Sequence, residues 1–502
     1  MSSIKQLAGQ TVWYGASSIA ARFINYLLTP YLTFKFTTSQ YGEMSVIYAA
    51  IPFMNVLFTY GMETSFFRFA NQKNLEKEVY STSNISLITT TIFLSALLIL
   101  FRYQVAGLLE INQHVEYITL AAFIIGIDAL CALPFAKLRL DGRPVKFASA
   151  RIAGILINIV FLYFFLSICP QLAKTGKYNF INQYFNPNWA VGYVLVANLI
   201  QSAFTFIILS KEFTNFKVEF NKNLFREMMI YSLPLIIAGF GGMINETFDR
   251  IMLQWWAPVS TPEAAKAQVG IYSACYKLSL LISLSVQAFR MGAEPFFFKE
   301  STNENAPKTY ARVMKIFVIT VCIMFLLVAL YLDVWKYFIR NKEMYVGLKV
   351  VPVLLLANMC LGIYYNLSIW YKLANRTMAG AYITIIGAII TLLINYLFIP
   401  YFSYMASAWA TFLCYFSMMV ISFFWGQKIY FVPYAWKKLV TYILIVVILF
   451  FLHKFLTGFF NSTIFNLLLA TLFTLSFIFF ILKIERKEFQ RLPIIGKFIS
   501  SD

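Results

Sequence analysis

Charged residues are scarce in this sequence. Asp, Glu, Lys and Arg make up 13% of the 502 residues, whereas about 25% is usual in soluble domains. Hydrophobic residues reach 60%, more than a soluble fold can hide, because its surface must stay largely polar. The hydrocarbon layer of a bilayer is the natural solvent for such a chain. That layer is about 30 Å thick, and a helix needs about 20 apolar residues to cross it.

Residues suited to metal, nucleotide or acid–base chemistry are also few. The two histidines, His114 and His453, lie far apart in the sequence, and no two of the six cysteines are spaced as a metal or redox motif. The stretch GFGGMI at residues 239–244 lacks the third glycine and the preceding strand of a dinucleotide-binding loop, and the sequence contains no P-loop motif. We therefore predict no catalytic residue, no metal site and no cofactor, and a protein that is not an enzyme.

Acidic residues are outnumbered, with 22 Asp and Glu against 41 Lys and Arg and a net charge of +19. Such an excess in a soluble protein would suggest a nucleic-acid partner. In a membrane protein it has a simpler origin, because Lys and Arg accumulate in the cytoplasmic loops. We therefore predict no nucleic-acid partner, and we use the basic residues to orient the chain.

Apolar runs predict about fourteen transmembrane helices. With the N-terminus placed inside, most Lys and Arg fall in inward loops, so both termini are expected in the cytoplasm. The longest outward loop, at about residues 169–188, is too short for a folded domain. The predicted spans are 11–34, 41–63, 81–101, 115–136, 147–168, 189–209, 229–256, 268–291, 313–333, 347–369, 378–399, 403–425, 437–456 and 461–482.

One unusual phrase occurs twice, as GMETSFFRF at residues 61–69 and as GAEPFFFKE at residues 292–300. Residues 22–48 also align without gaps on residues 250–276. The first span therefore corresponds to the seventh, and the repeat unit is six helices. The identical pairs are Arg22/Arg250, Pro30/Pro258, Thr33/Thr261, Gln40/Gln268, Gly42/Gly270, Ser45/Ser273 and Tyr48/Tyr276.

An even number of helices per repeat inserts both copies in the same direction. We therefore predict an all-α membrane protein with two six-helix lobes, related by a pseudo-two-fold axis along the membrane normal, and two further C-terminal helices. The N-lobe covers residues 1–226 with spans 1–6, and the C-lobe covers residues 227–426 with spans 7–12. Residues 427–502 hold the two extra spans and a basic cytoplasmic tail.

The repeated phrase places opposite charges where a span meets the cytoplasm. These are Glu63 with Arg68 in the first copy and Glu294 with Lys299 in the second. One interpretation is an interfacial anchor in which the two charges at a helix end pair with each other. The other is that these four residues form a gate that closes the inner side.

Four cations fall within the predicted spans, namely Arg22, Arg250, Lys277 and Arg151. An arginine at the centre of a span costs about 2.5–3.5 kcal/mol on insertion scales, so it usually faces a cavity or a partner. Because Arg22 and Arg250 are repeat mates, the two could face one central cavity. We predict that the four cations bind substrate.

Acidic residues near these cations offer the alternative of structural pairing. Glu246 and Asp249 precede Arg250, and we expect Glu246 to be its partner because residues four apart share a helix face. Asp128 could pair with Arg151 from a neighbouring helix. Glu246 and Asp249 are also candidates for ion coupling, with Na⁺ or H⁺ left open.

A cationic cavity suits an anionic substrate. Arginine binds phosphate through a planar fork of donors. A lipid that carries a diphosphate and sugars would place its charge in the cavity and its tail between the helices.

The spans, the arginine in the first of them and the GMETSFFRF phrase after the second resemble one known group. It is the polysaccharide transporter branch of the multidrug/oligosaccharidyl-lipid/polysaccharide exporter superfamily, a MATE-like group that includes O-antigen (lipopolysaccharide) and capsule flippases. The resemblance implies alternating access that moves an undecaprenyl-diphosphate-linked glycan across a bacterial inner membrane. It implies cavity arginines at Arg22 and Arg250, with Lys277 as a weaker candidate, and terminal helices that accommodate the lipid tail. Membrane lipids, a polysaccharide polymerase and glycosyltransferases are the expected partners.

Other functions compete with this interpretation. A cation-coupled multidrug exporter of the same superfamily would carry acidic groups in its cavity, whereas the first span holds Arg22 and no Asp or Glu. A membrane-embedded polymerase or transferase would need a long outward loop or a constellation of carboxylates and histidines. A purely structural assembly partner would have no use for charges inside the membrane.

Overall fold

The computed structural model describes residues 19–73, 76–175, 183, 185–214, 218–301, 303–374, 376–460 and 462–490. Every regular element among these residues is a helix. The predicted basic tail beyond residue 490 and the start of the first predicted span lie outside the described residues. The all-α class is confirmed.

The helices of the first half begin with a helical stretch at residues 19–27. The next helices carry the labels used below. They are α1 (Thr29–Lys35), α2 (Thr38–Thr59), α3 (Met62–Lys73), α4 (Glu76–Leu100), α5 (Glu116–Leu140), α6 (Pro144–Tyr163), α7 (Ala190–Ile208) and α8 (Lys222–Trp256). Short helical segments between them are Arg102–Leu108, Asn112–His114, Phe164–Ile168, Cys169–Thr175, Pro187–Trp189 and Ser210–Thr214.

The second half is also helical. Its long helices are α9 (Pro262–Glu300), α10 (Ala306–Ala329), α11 (Val351–Leu367), α12 (Thr377–Phe402), α13 (Tyr404–Ile429), α14 (Trp436–Thr457) and α15 (Thr463–Ile484). Its short helical segments are Leu332–Trp335, Lys336–Phe338, Lys342–Val350, Ile369–Leu373 and Arg486–Phe489.

Thirteen helical stretches of the described chain are long and apolar enough to cross a membrane. They run from Thr38–Ala70 to Thr463–Ile484, and each coincides with one of the predicted spans from the second to the fourteenth. The remaining prediction, the span at 11–34, coincides in its described part with residues 19–27 and α1. The protein is therefore a multi-pass membrane protein.

Local sequence explains where the second helix starts and stops. The Thr37 hydroxyl accepts a hydrogen bond from the Gln40 amide while the Gln40 side chain accepts one from the Thr37 amide, a capping box at the start of α2. At its other end Tyr60 and Gly61 have φ of 32° and 71°. Glycine tolerates this left-handed conformation, so α2 ends and α3 starts in a new direction within the phrase GMETSFFRF.

The described chain divides into two compact units. The first unit contains residues up to Ala274 together with Asn341–Met344 and Thr377–Cys414. The second unit contains Cys275–Arg340, Tyr345–Arg376 and the residues from Tyr415 onward. The predicted lobe boundaries and the pseudo-two-fold axis stay predictions.

Each unit has its own packing. In the first unit, α8 packs mainly against α12 and α2. In the second unit, α10 packs against α11 and against both terminal helices, α14 and α15. The six cysteines are buried as free thiols, so they contribute apolar packing.

Candidate substrate site

Arg22 and Arg151, two of the four predicted substrate-binding cations, lie near one another in the first unit. Arg151 projects from α6 and is within electrostatic range of both Arg22 and Asp128. Its guanidinium lies over the rings of Phe135 and Phe147, 4.9 and 5.1 Å from their centroids. The two arginines and the one aspartate sum to a positive charge, which suits an anion.

Arg151 and Asp128 combine exposed surface with many protein neighbours. Both residues are exposed to solvent, although protein atoms surround them on most sides. A lipid-facing side chain would have protein on one side only. Charges inside a membrane-spanning unit are typical of a substrate or ion pathway.

A polar network that the sequence analysis did not identify joins this region. Asn198 of α7 donates a hydrogen bond to the Tyr48 hydroxyl of α2, and Asn158 of α6 donates to the Asn198 side-chain oxygen over 3.4 Å. Asp128 of α5 accepts a hydrogen bond from Ser202 of α7. In the sequence, the available signal of this network is the presence of single polar residues within apolar runs. Only the packing of four helices shows that these side chains meet.

The predicted partner of Arg250 is wrong. Its guanidinium bonds the carboxylate of its chain neighbour Asp249 over 2.9 Å, and it meets Glu246 only at the backbone carbonyl, over 2.7 Å. Asp249 is buried and also accepts a hydrogen bond of 2.6 Å from the Tyr272 hydroxyl. Tyr272 lies on α9. Arg250 is therefore largely neutralised in this structure.

The remaining predicted site residues are distributed over both units. Lys277 is half-buried on α9 within the second unit, whereas Arg22 and Arg250 belong to the first unit. Glu246 is exposed on α8. The roles predicted for these residues, substrate binding for the cations and ion coupling for Glu246 and Asp249, stay predictions.

The charges of the repeated phrase do not pair with each other in the first copy. Glu63 instead forms an ion pair with Arg139, at the end of α5. Arg68 lies over the ring of Tyr231, 4.1 Å from its centroid. The predicted Glu63–Arg68 pair is wrong, because helix packing offers the carboxylate a closer cation than its own helix does.

The second copy makes the corresponding contact. Glu294 forms an ion pair of 2.6 Å with Lys372, in the short helix that follows α11, and a longer one of 3.6 Å with Arg290. Lys299 lies exposed at the end of α9. The predicted Glu294–Lys299 pairing is therefore also corrected. In both copies the repeated glutamate binds a cation at the end of another span, the fourth or the tenth.

The aromatic residues of the repeated phrase make the same kind of contact in both copies. Phe66 is buried against Tyr80, with ring centroids 5.6 Å apart, and Phe297 is buried against Tyr310 at 5.0 Å. Each tyrosine stands at the start of the next long helix, α4 or α10. In both copies the repeated phrase therefore connects the end of one span to two neighbouring helices.

A close crossing joins α2 to the first turns of α9. A Cβ atom on Gly42 would overlap the backbone carbonyl of Lys266, and one on Gly270 would overlap that of Thr38. Beside this crossing, Lys266 and Glu43 form a buried ion pair of 3.1 Å. Gly42 and Gly270 are repeat mates, so the contact between the two copies is reciprocal.

These observations define a class of protein: an all-helical, multi-pass membrane protein that holds charged and polar groups inside its spans. The family model for polysaccharide biosynthesis proteins matches residues 7–301. The chain therefore belongs to the polysaccharide biosynthesis protein family. Among curated protein sequences, none matches.

Solved structures share the fold. The lipid II flippase MurJ in an inward closed conformation has a TM-score of 0.69 and 14% identity, covering 94% of this chain and 99% of its own. A multidrug resistance MATE family transporter in an inward-facing conformation has a TM-score of 0.59 and 12% identity, covering 84% and 94%. The outward-facing conformation of a MATE transporter has a TM-score of 0.57 and 12% identity, covering 84% and 95%. At these identities the likeness shows the fold.

Proposed function

We propose that this protein is a flippase that moves a lipid-diphosphate-linked oligosaccharide from the inner to the outer leaflet by alternating access. The membership of a polysaccharide biosynthesis family supports a glycan substrate. The MurJ likeness extends over 94% of the chain, against 84% for the MATE structures, which supports a lipid-linked cargo.

One observation carries the proposal, namely the positive cluster of Arg22 and Arg151 in the first unit. Two guanidinium groups with one carboxylate nearby repel each other, and that repulsion falls when a multivalent anion binds between them. A diphosphate offers oxygen atoms for the planar donor forks of both arginines. Neutral sugars would contact the polar side chains of the network around Asn198.

A cation-coupled multidrug exporter is the second candidate, because Asp128 and Asp249 place carboxylates inside the spans. The positive sum of charges around Arg151 favours the anionic lipid over a cationic drug. A polymerase or transferase is the third candidate function. Such an enzyme would change the covalent structure of the lipid, whereas a flippase returns the lipid unaltered.

The cellular setting follows from the proposed substrate. We place the protein in the cytoplasmic membrane of a bacterium with both termini in the cytoplasm, in a pathway for O-antigen, capsule or a similar surface glycan. An undecaprenyl-diphosphate-linked glycan is the proposed cargo. Glycosyltransferases that build it and a polymerase that joins the delivered units are the proposed partners.

The test follows a fluorescent polyprenyl-diphosphate oligosaccharide across vesicles that contain the purified protein, with a membrane-impermeant quencher outside. We expect translocation by the wild type, and a rate at least about tenfold lower for Arg22→Ala and for Arg151→Ala, because each loses charged hydrogen bonds to the diphosphate. Arg22→Lys keeps the charge but not the planar fork, so its rate should lie between the two.

The control is Arg226→Ala, which removes an exposed arginine at the start of α8 and should leave the rate unchanged. Wild-type rates in both arginine variants would refute the site. Efflux of a cationic dye, with no movement of the lipid, would favour the drug exporter. Mass spectrometry of the recovered lipid would reveal a transferase.

A further inference from the structure

A second charged site lies in the second unit, where α9 ends beside the residues that follow α11. A small hollow there is lined by Arg290, Glu294, Tyr365, Asn366 and Lys372 on its polar side. As it stands, the hollow has room for at most about one water molecule. Phe297 and other buried apolar residues close its far side.

The Glu294 carboxylate lies between two cations at this hollow. It contacts Nζ of Lys372 over 2.6 Å and Nε of Arg290 over 3.6 Å. The Arg290 guanidinium also lies over the Tyr365 ring, 4.6 Å from its centroid. Two cations and one carboxylate leave the hollow with a positive charge.

Asn366 adds a hydrogen-bond donor that is not used. Its side chain is buried, with 3% of the residue exposed, and it lines the same hollow. Within the described part of the chain, its Nδ2 atom has no hydrogen-bond acceptor. Buried donors are usually satisfied, so an unsatisfied one beside two cations indicates a missing acceptor.

We propose that Arg290, Lys372 and Asn366 form a phosphate-binding site, and that Glu294 occupies it as an internal counter-ion until a phosphate group displaces it. A phosphate carries more charge and more acceptor oxygens than a carboxylate. It can accept from both cations and from Nδ2 of Asn366, which Glu294 leaves unsatisfied. Binding of phosphate requires the Glu294 side chain to move out of the hollow, and this movement opens the hollow.

The first copy of the repeat shows that this arrangement is not a general property of the fold. Glu63 there pairs with Arg139, as Glu294 does with Lys372. The position of Arg290, however, is taken by Thr59, whose hydroxyl donates to a carbonyl of its own helix over 2.7 Å. The additional cation is present in the second copy alone.

The ligand class is a phosphate ester or diphosphate, and we assign it to the headgroup of the transported lipid. This assignment rests on the proposed function. It makes the hollow a loading site at the side that we place in the cytoplasm, where the lipid diphosphate is first bound and Glu294 is released.

The experiment measures binding by the full-length protein in nanodiscs with three probes: a fluorescent polyprenyl diphosphate, inorganic diphosphate and phosphatidylglycerol. We expect the polyprenyl diphosphate to bind tightest and inorganic diphosphate to compete with it. Arg290→Thr, which copies the first repeat, should weaken binding about tenfold, the value of one charged hydrogen bond. Glu294→Gln should strengthen binding, because the competing carboxylate is gone.

Two comparisons separate a binding role from a structural one. Glu63→Gln removes the matching carboxylate of the first copy and should not strengthen binding. Asn366→Leu should weaken binding while leaving thermal stability equal or higher, because it removes an unsatisfied donor. Where Arg290→Thr folds poorly, Arg290→Lys replaces it and should give intermediate affinity.

The results decide between the proposals. The site is overturned if Glu294→Gln binds no tighter than wild type, or if inorganic diphosphate does not compete. Equal affinity for inorganic and lipid diphosphate would keep the phosphate site and overturn its assignment to the lipid. A wild type that binds diphosphate as described but translocates no lipid would contradict the flippase function alone. Translocation with unaltered binding in every variant would contradict the site alone.

Discussion

Arg250 is a predicted substrate-binding cation that also forms a buried ion pair. Its partner Asp249 is adjacent in the chain, with 3% of its side chain exposed against 12% for the arginine. The Tyr272 hydroxyl holds the second carboxylate oxygen. A charge pair buried to this degree is weak evidence for net stability, but loss of either partner leaves the other charge uncompensated.

We predict that Asp249→Asn lowers the free energy of unfolding by about 3–5 kcal/mol, because Arg250 then stays buried without its counter-charge. Thermal unfolding of the purified protein in detergent measures this as a fall in Tm. The double variant with Arg250→Gln should recover much of the loss.

The matched control is Asp141→Asn, which removes a more exposed partner of Lys137. Exposed pairs are worth about 0–1 kcal/mol, so its Tm should barely change. Equal losses in the two single variants would show that the Asp249–Arg250 pair is not effectively buried.

At the scale of helices, the backbones of α2 and α9 approach each other closely. Gly42 and Gly270 let the two backbones touch, and the buried pair Glu43–Lys266 fixes the same end of both helices. In an alternating-access cycle, the repeat-related helices must separate at one end. We propose that this crossing is such a closed end, on the outer side of the membrane.

We predict that Gly42→Ala and Gly270→Ala each lower Tm by several degrees, since the added Cβ overlaps backbone that cannot move aside. The control is Gly242→Ala on α8, where a Cβ would meet nothing within 4 Å. That change should be neutral or slightly stabilising, because alanine is favoured over glycine in helices by about 1 kcal/mol. If the three variants behave alike, the close crossing does not exist in solution.

One carboxylate contributes to the packing of both terminal helices against α10. Glu485, just beyond α15, accepts hydrogen bonds of 2.7 Å from Lys315 of α10 and from Tyr442 of α14. Burial alone would raise the pKa of Glu485, but these donors and the charges of Lys315 and Lys438 hold it below its usual value. The carboxylate therefore stabilises the docked pair of helices in its ionised form.

The sign of the pH dependence follows from that lowered pKa. The stabilisation by Glu485 is fully present above the pKa of the unfolded chain, about 4.3, and is lost as the pH falls through the lower folded value. We predict that Glu485→Gln has a lower Tm than wild type at pH 7, and that the difference shrinks on acidification below about pH 4. Glu263→Gln, at the exposed start of α9, should show no such trend. A difference in Tm that stays constant with pH would contradict the ionised role.

At the scale of the whole molecule, thirteen described spans and one predicted first span give an even number. An even number brings both termini to one side, and we propose from the distribution of Lys and Arg that this side is the cytoplasm. The repeated glutamate contacts at Arg139 and Lys372 then both fall on the cytoplasmic side.

We predict that alkaline phosphatase fused after Gly142, in an inward loop, is inactive, and that the same enzyme fused after Arg340, in an outward loop, is active. A fluorescent protein at the C-terminus should fold and fluoresce in the cytoplasm. The reverse pattern would invert the whole assignment, including the direction of transport that we propose.

The sequence by itself determined the class of fold, whereas the six-helix repeat stays a prediction. A membrane span needs only a run of apolar residues long enough to cross the bilayer, which is a local property of the sequence. The thirteen described spans confirm the corresponding predictions. The doubled phrase marked equivalent positions, and Glu63 and Glu294 do form equivalent contacts.

Only the tertiary structure decided which charges meet. Arg250 binds Asp249 and not the side chain of Glu246, Glu63 binds Arg139, and Arg151 comes near Arg22. Spacing along one helix could not predict these neighbours, because each charge interacts with the groups that helix packing brings to it. Those neighbours depend on how helices far apart in the chain are arranged around each other.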